Sequence, residues 1–227
     1  MPAPHRDKTF LLALTIVYLA LMITGGMNVK ISFQVPHDTA TAAAFVTQHG
    51  WAIRLGSFLE LISAITLGVF MAVSIHRVRS LGIRHAGEQI AALGAIAAPM
   101  MLAGSAMSTW SLTRPGVAAG SGAVAVLQAI GFDGGGPGFA IFIGIFVAGV
   151  SIAASRHNLI SRWLLWLGII AAAAGELSTL TLLNFTAGYF IPVARFLSIV
   201  WMLGFALQFP ATGSDDEGRG SGTVAGS

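Results

Sequence analysis

Four residues in this chain could do chemistry from inside an apolar environment: Arg54, Glu60, Glu176 and Arg195. The first two lie in RLGSFLELISAIT, residues 54–66, within a stretch that otherwise reads as a membrane-spanning helix. A lone charge at mid-span costs on the order of 3 kcal/mol on insertion scales, so charges at that depth pair or line a wet cavity. Glu60 is nine residues beyond Trp51, about 13 Å at helical rise. Glu176 is eight residues before Asn184, about 12 Å below the same boundary. Arg54 and Arg195 enter from that same outer side, at a depth of about 5–7 Å by the same rise. Two acids and two bases at compatible depth admit three readings. They can form an ion-pair clamp that joins spans, or line an outward-facing cavity for a small polar molecule or a lipid headgroup. The third reading is acid–base catalysis by a desolvated Glu60 or Glu176.

Hydroxyls gather around these charges. Ser57 and Ser63 flank Glu60, Ser178, Thr179 and Thr181 follow Glu176, and Ser198 follows Arg195. They extend a polar lining or bond carbonyls of their own helices. Asp133, in GFDGGGPG, is the fifth binding candidate. That glycine-rich run has no G-K-[ST] ending and reads as a turn at the outer mouth of a span, so it is no P-loop. The histidines do not assemble: no H-x-x-x-H or H-E-x-x-H spacing occurs and no pair meets at mid-membrane depth. Zinc and bis-histidine haem are therefore not expected. Without cysteine there is no disulfide, Fe–S cluster or thiol nucleophile. No cofactor or metal is assigned.

Six apolar runs position these residues. The chain of 227 residues is 55% hydrophobic and 9% charged, far below the roughly 25% charge of soluble domains. After a basic start, residues 9–27 carry no charge and reach across the roughly 30 Å of a bilayer core. The absence of an A-x-A-like site speaks against a cleaved signal peptide. Val29, Ile31, Phe33 and Val35 alternate with polar residues, which predicts a short extended segment ended by Pro36. Asp38 or Thr39 then caps a helix through TATAAAFVTQH, too short to span and expected at the outer interface. Further spans are expected over 51–75, 90–112, 138–155, 163–184 and 190–209. Residues 113–137 form the longest connection, holding a short helix from Ala123 to Ile130 and then a flexible turn. The tail, 211–227, is small and polar and predicts disorder. Together these runs give one all-α membrane domain over 1–210, a six-transmembrane-helix bundle with an outer interfacial helix between the first two spans.

The net charge of +3 is small, and its basic residues sit mostly in turns. That pattern is topological and excludes a nucleic-acid surface. Arg6, Lys8, Arg77, Arg79, Arg84, Arg156 and Arg162 occupy the N-terminus and the even-numbered turns, against Lys30 and Arg114 in the others. The positive-inside rule places both termini in the cytoplasm. GVFMAVS (68–74) echoes GIFVAGVS (144–151), and LGAIAA (93–98) echoes LGIIAA (167–172). Such an echo fits parallel repeats of the kind transporters use, or chance likeness among Ala/Gly/Ile helices. Gly144/Ala148, Gly149/Ala153 and Ala171/Gly175 are small-xxx-small pairs, which serve internal packing or a homodimer.

Three stretches, TATAAAFVTQHGWAIRLGSFLELI, LQAIGFDGGGPGFAIFIGIF and SRHNLISRWLLWLGIIAAAAG, together resemble a bacterial group of small polytopic inner-membrane proteins, a domain family of unknown function. The resemblance covers about Asp38 to Leu207 and rests on an R-L-G with an acid six residues after the arginine, a G-F-D, and an R-W-L-x-W-L-G. It implies a bacterial inner-membrane fold and matches Arg54, Glu60 and Asp133 to the family's recurring polar positions. It carries no activity. The expected partners are the bilayer and a small-molecule or lipid ligand, with a homo-oligomer or a complex subunit as further readings.

Overall fold

The computed structural model describes residues 5–83, 86–120 and 122–209, with side chains from residue 9 onward. The expected disorder of the 211–227 tail, and the turn residues Arg84 and His85, lie outside the described residues. Seven α-helices are described: α1 (His5–Ser32), α2 (Thr39–Ser80), α3 (Ala86–Ser111), α4 (Ala123–Asp133), α5 (Phe139–Ser155), α6 (Arg162–Leu177) and α7 (Phe190–Gln208). A π-helical segment, Gly134–Gly138, joins α4 to α5, and two 3₁₀ turns, Ser178–Leu182 and Phe185–Tyr189, join α6 to α7. No strand occurs among the described residues. Six helical stretches are long and apolar enough to cross a membrane: Thr9–Ser32, Thr39–Ser80, Ala86–Ser111, Ala123–Ser155, Arg162–Leu182 and Phe185–Gln208.

Three local expectations change. The separate interfacial helix does not form, because Thr39–Ser80 is one continuous helix of 42 residues. At 1.5 Å per residue it is about 63 Å long, twice the hydrocarbon thickness of a bilayer. Asp38 starts it, its Oδ2 accepting from the Thr41 N–H at 3.1 Å. Nothing at Gly50–Trp51 interrupts the hydrogen-bond ladder, and the alanine-rich approach favours helix. The first turns of α2 are held by a small apolar cluster of Val35, Ala42, Ile53, Leu112, Ala118 and Val124. The period-2 segment is not extended either, since α1 continues through Ser32. Its backbone lies directly on α2: a Cβ placed on Gly56 would fall 2.8 Å from Val29 N. Finally, the fourth span begins well before residue 138. GFDGGGPG is helical, so Ala123–Ser155 runs on as one stretch of 33 residues.

The helices form a ring in which α1 packs on α2, α2 on α3, α3 on α5, α5 on α6, α6 on α7, and α7 back on α1. Helix α5 also touches α2 and α7, making it the central element. Aromatic rings fill the middle. Phe146 lies 6.5 Å from Phe70 and 6.0 Å from Trp201, centroid to centroid. Trp201, Phe205 and Phe209 continue as a stack at 4.9 and 4.5 Å. All five of these side chains are fully buried. The small-residue pairs serve this internal packing, with Gly144 against Ala172, Gly149 against Ala91 and Gly175 against Ala140. At the end of the bundle where α2 turns into α3, Arg79 Nε meets Glu88 Oε1 at 2.6 Å. At the other end Gln128 ties α4 to the α1–α2 turn, donating to the Ser32 and Val35 carbonyls and facing His37 at 2.8 Å.

Two outcomes follow. A methyl at Gly149 would sit 2.6 Å from Ala91 N and Gly87 O, whereas one at Gly104 meets nothing within 4 Å. Gly149→Ala should therefore destabilise the protein by about 1–3 kcal/mol through forced separation of α3 and α5. Gly104→Ala should leave detergent thermal stability level or slightly raised. The Thr41 N–H bond holds the Asp38 carboxyl below its usual value, so its cap is present above the ordinary carboxylate range and fades as pH falls through the lowered native value. Hydrogen exchange should accordingly quicken in the first turn of α2 in Asp38→Ala at neutral pH, and in the wild type only in strong acid.

Candidate functional site

A cavity of about 320 Å³ opens in the half of the bundle nearest the α1–α2 turn. Helix α1 contributes Leu21, Met22, Gly26, Val29 and Lys30, Phe33 follows just past its end, and α2 contributes Glu60 and Ser63. Leu102 and Ser105 come from α3, Gly131 and Phe132 from α4, and Ile191 and Arg195 from α7. Gly26, Lys30 and Phe33 are the exposed members of this lining, so the mouth lies along α1. Lys30 stands at the mouth among apolar neighbours, while Glu60, Ser63, Ser105 and Arg195 are the less exposed polar members of the lining.

The π-helical segment builds that inner end. Pro137 has no N–H to continue the ladder, and its ring displaces the carbonyl four residues back. The Phe139 N–H, which in a regular α-helix would bond Gly135 O, is directed to Gly134 O and Gly136 O instead. Gly135 O is thereby left for a side chain, and the Arg195 guanidinium donates to it through Nη2. The same guanidinium lies over the Phe139 ring, 4.9 Å from its centroid, a favourable cation–π arrangement. π-Bulges of this kind occur preferentially at functional sites.

Glu60 faces this arginine without forming an ion pair with it. Ser105 Oγ and Glu60 Oε1 both border Gly135, and Glu60 Oε2 is buried with no hydrogen-bond partner in the protein. Arg195 Nε is buried and unpartnered as well. Two residues of opposite charge that line one cavity thus each keep a buried polar atom without a protein partner. Tyr18 is fully buried on α1, and its phenol oxygen has no hydrogen-bond partner in the protein.

Of the five candidate residues, the structure brings Glu60 and Arg195 together and places the others elsewhere. Arg54 is exposed and shares a separate groove with Arg114, which stacks over Trp110 at 5.1 Å. Glu176 is exposed at the end of α6. Asp133 is exposed and borders a shallower depression with His37, Gln128 and Phe185. Four-charge neutralisation is therefore not the arrangement found. Sequence reasoning missed Ser105 and Tyr18. Tyr18 carried one faint signal, as a phenol in an otherwise uncharged span. Among the described residues no three His, Asp or Glu side chains are grouped to hold a metal.

Gly135 is required for this geometry, since a Cβ there would lie 2.6 Å from Ser105 Oγ and 3.5 Å from Glu60 Oε1. Gly135→Ala is expected to cost about 1–3 kcal/mol by overpacking. Adding Ser105→Ala should recover part of that loss in a double-mutant cycle of thermal stability. Simple additivity of the two changes would contradict the placement. No family model, curated protein or solved structure matches this chain.

Proposed function

We propose that this multi-span membrane protein binds a small amphipathic molecule, a lipid or a lipid-like solute, in the Glu60–Arg195 cavity. The observation that carries this reading is that two residues of opposite charge line one cavity without pairing, each with a buried atom, Glu60 Oε2 and Arg195 Nε, that has no partner in the protein. Buried polar groups in proteins are almost always satisfied, and an exception calls for a missing partner. A ligand carrying an anionic oxygen and a hydroxyl or amine would satisfy both. Its apolar part would lie against Leu21, Val29 and Phe33 on the way to the mouth.

The distribution of basic residues supports an orientation. Arg77, Arg79, Arg156 and Arg162 belong to one end of the bundle, while Lys30 and Arg114 belong to the other. Under the positive-inside rule the first end is cytoplasmic, as are both termini, and the cavity lies in the outer half. This orientation, in a bacterial inner membrane, agrees with the resemblance of the 38–207 region to polytopic proteins of that membrane. The arrangement is transporter-like in placing a polar site within the bilayer, open toward one side.

The test is native mass spectrometry of the protein purified gently from its own membranes. A bound adduct should survive in the wild type, in Glu176→Gln and in Arg54→Gln, and be lost in Glu60→Gln and Arg195→Met. An adduct indifferent to Glu60 and Arg195 would overturn the reading. Turnover of the bound lipid, lost in Glu60→Gln, would make the site that of an enzyme. Absence of any adduct together with a stoichiometric protein partner would make the chain a subunit of a complex.

A further inference from the structure

Another recess, of about 440 Å³, lies between the first turns of α2 and the loop that follows α3. Its charged members are Arg54 and Arg114, and no acid lines it. Both arginines are exposed, and among the described residues neither forms an ion pair. Two like charges around one recess set up a positive field that an anion relieves. Arg114 is also held in place, its guanidinium lying over the Trp110 ring at 5.1 Å. No residue of this recess lines the Glu60–Arg195 cavity.

An apolar trough of about 290 Å³ adjoins it. Arg54 lines both, and Trp110 of the trough is the ring beneath Arg114 of the recess. Phe58 and Leu61 of α2 face Ala106 and Met107 of α3 across the trough. They stand four and seven residues beyond Arg54, on one helical face that descends about 10 Å toward the middle of the bilayer. Phe58, Met107 and Trp110 are exposed, and on a helix that crosses a membrane such a face meets lipid. Trp51, also exposed, is three residues above Arg54. With Trp110 it marks the headgroup level, where amphipathic rings gather. A lone arginine at that depth merely snorkels to whichever headgroup is near. Here two arginines share a walled recess, and an apolar track leads away from it.

We propose that recess and trough together form a site for one anionic phospholipid of the adjoining leaflet, separate from the cavity. The lipid phosphate sits between Arg54 and Arg114, and an acyl chain lies along Phe58, Leu61 and Met107. Guanidinium groups suit this role because their planar fork donates two parallel hydrogen bonds to phosphate oxygens. Stacking on Trp110 preorganises one of the two forks and so lowers the cost of ordering it. A free phosphate fills the recess and leaves the trough bare, so the trough is what commits the site to a lipid. The bound lipid braces the long α2 against the loop after α3, beside the apolar contacts of Ala42, Ile53, Leu112 and Ala118.

Two readouts on the full chain test it. The first is the lipid that the protein retains, by mass spectrometry, on release from nanodiscs of equal parts dioleoylphosphatidylglycerol and dioleoylphosphatidylcholine. Wild type should retain the glycerol lipid in several-fold excess, and so should Glu60→Gln, in which the cavity's own ligand is lost. Arg54→Gln/Arg114→Gln should lose the excess. Arg156→Gln/Arg162→Gln, which removes the same charge at the other end of the bundle, should keep it. The second readout is hydrogen exchange of residues 113–119. It should be several-fold slower in phosphatidylglycerol than in phosphatidylcholine discs, with no difference in Arg54→Gln/Arg114→Gln. Equal retention of the two lipids, or an excess that survives Arg54→Gln/Arg114→Gln, would overturn the proposal. So would an equal loss in Arg156→Gln/Arg162→Gln. The same slowing by free glycerol phosphate in phosphatidylcholine discs would overturn it too, leaving an anion site without a lipid. Because the excess is also read in Glu60→Gln, failure of this site and failure of cavity binding are distinguishable.

Discussion

Inside a membrane every backbone carbonyl must find a donor, since neither lipid nor bulk water supplies one. At Gly135 the regular donor is gone: the Phe139 N–H serves the carbonyls of Gly134 and Gly136. The replacement comes from α7, where Arg195 reaches across to Gly135 O. This one contact fixes how far the arginine extends and which way its remaining N–H groups point. It also joins the central α4–α5 span to the last helix. Glycine is needed at 135 because Ser105 and Glu60 occupy the space a side chain would take.

The consequence is electrostatic. A glutamate and an arginine in a low-dielectric interior attract strongly, and direct pairing would be the simplest way to lower their cost. Here the guanidinium is held by a carbonyl on one side and by the Phe139 ring on another. Ser105 from α3 stands beside Glu60 where both border Gly135. The two charges are thus not paired with each other, and each keeps one buried atom without a partner in the protein. Such an arrangement is costly as a structural clamp, because a clamp gains most from closing the pair. As a preorganised site it is economical, because the free atoms need not be released from one another before a ligand binds.

The six spans are legible in the sequence because hydrophobic runs of sufficient length have few other meanings. The helical state of GFDGGGPG is not legible in the same way. Glycine and proline break helices in water, but in a bundle neighbouring groups re-satisfy the freed backbone, here from 60 residues away in Arg195. Depth along a helix can be counted from sequence, and it set Glu60 and Arg195 within reach of each other. Azimuth is harder. Arg54 and Glu60 are six residues apart, which at 3.6 residues per turn puts them about 120° apart around α2. Only one of them can face the cavity, and the packing of α1 and α3 decides which. Glu176 shares the depth but not the face. The continuity of α2 was hidden by composition: its first turns are alanine- and threonine-rich, without the hydropathy of a span, and extend beyond the length a bilayer needs.

The most direct measurement is a cryo-EM map of the protein in nanodiscs formed from its own membranes, resolved well enough to see side chains around Gly135. Arg195 is expected on the Gly135 carbonyl, Glu60 beside Ser105 without an ion pair to Arg195, and non-protein density between Glu60 and Arg195. A direct Glu60–Arg195 ion pair, with Gly135 O taken up by a regular helical N–H and no density in the cavity, would contradict this arrangement.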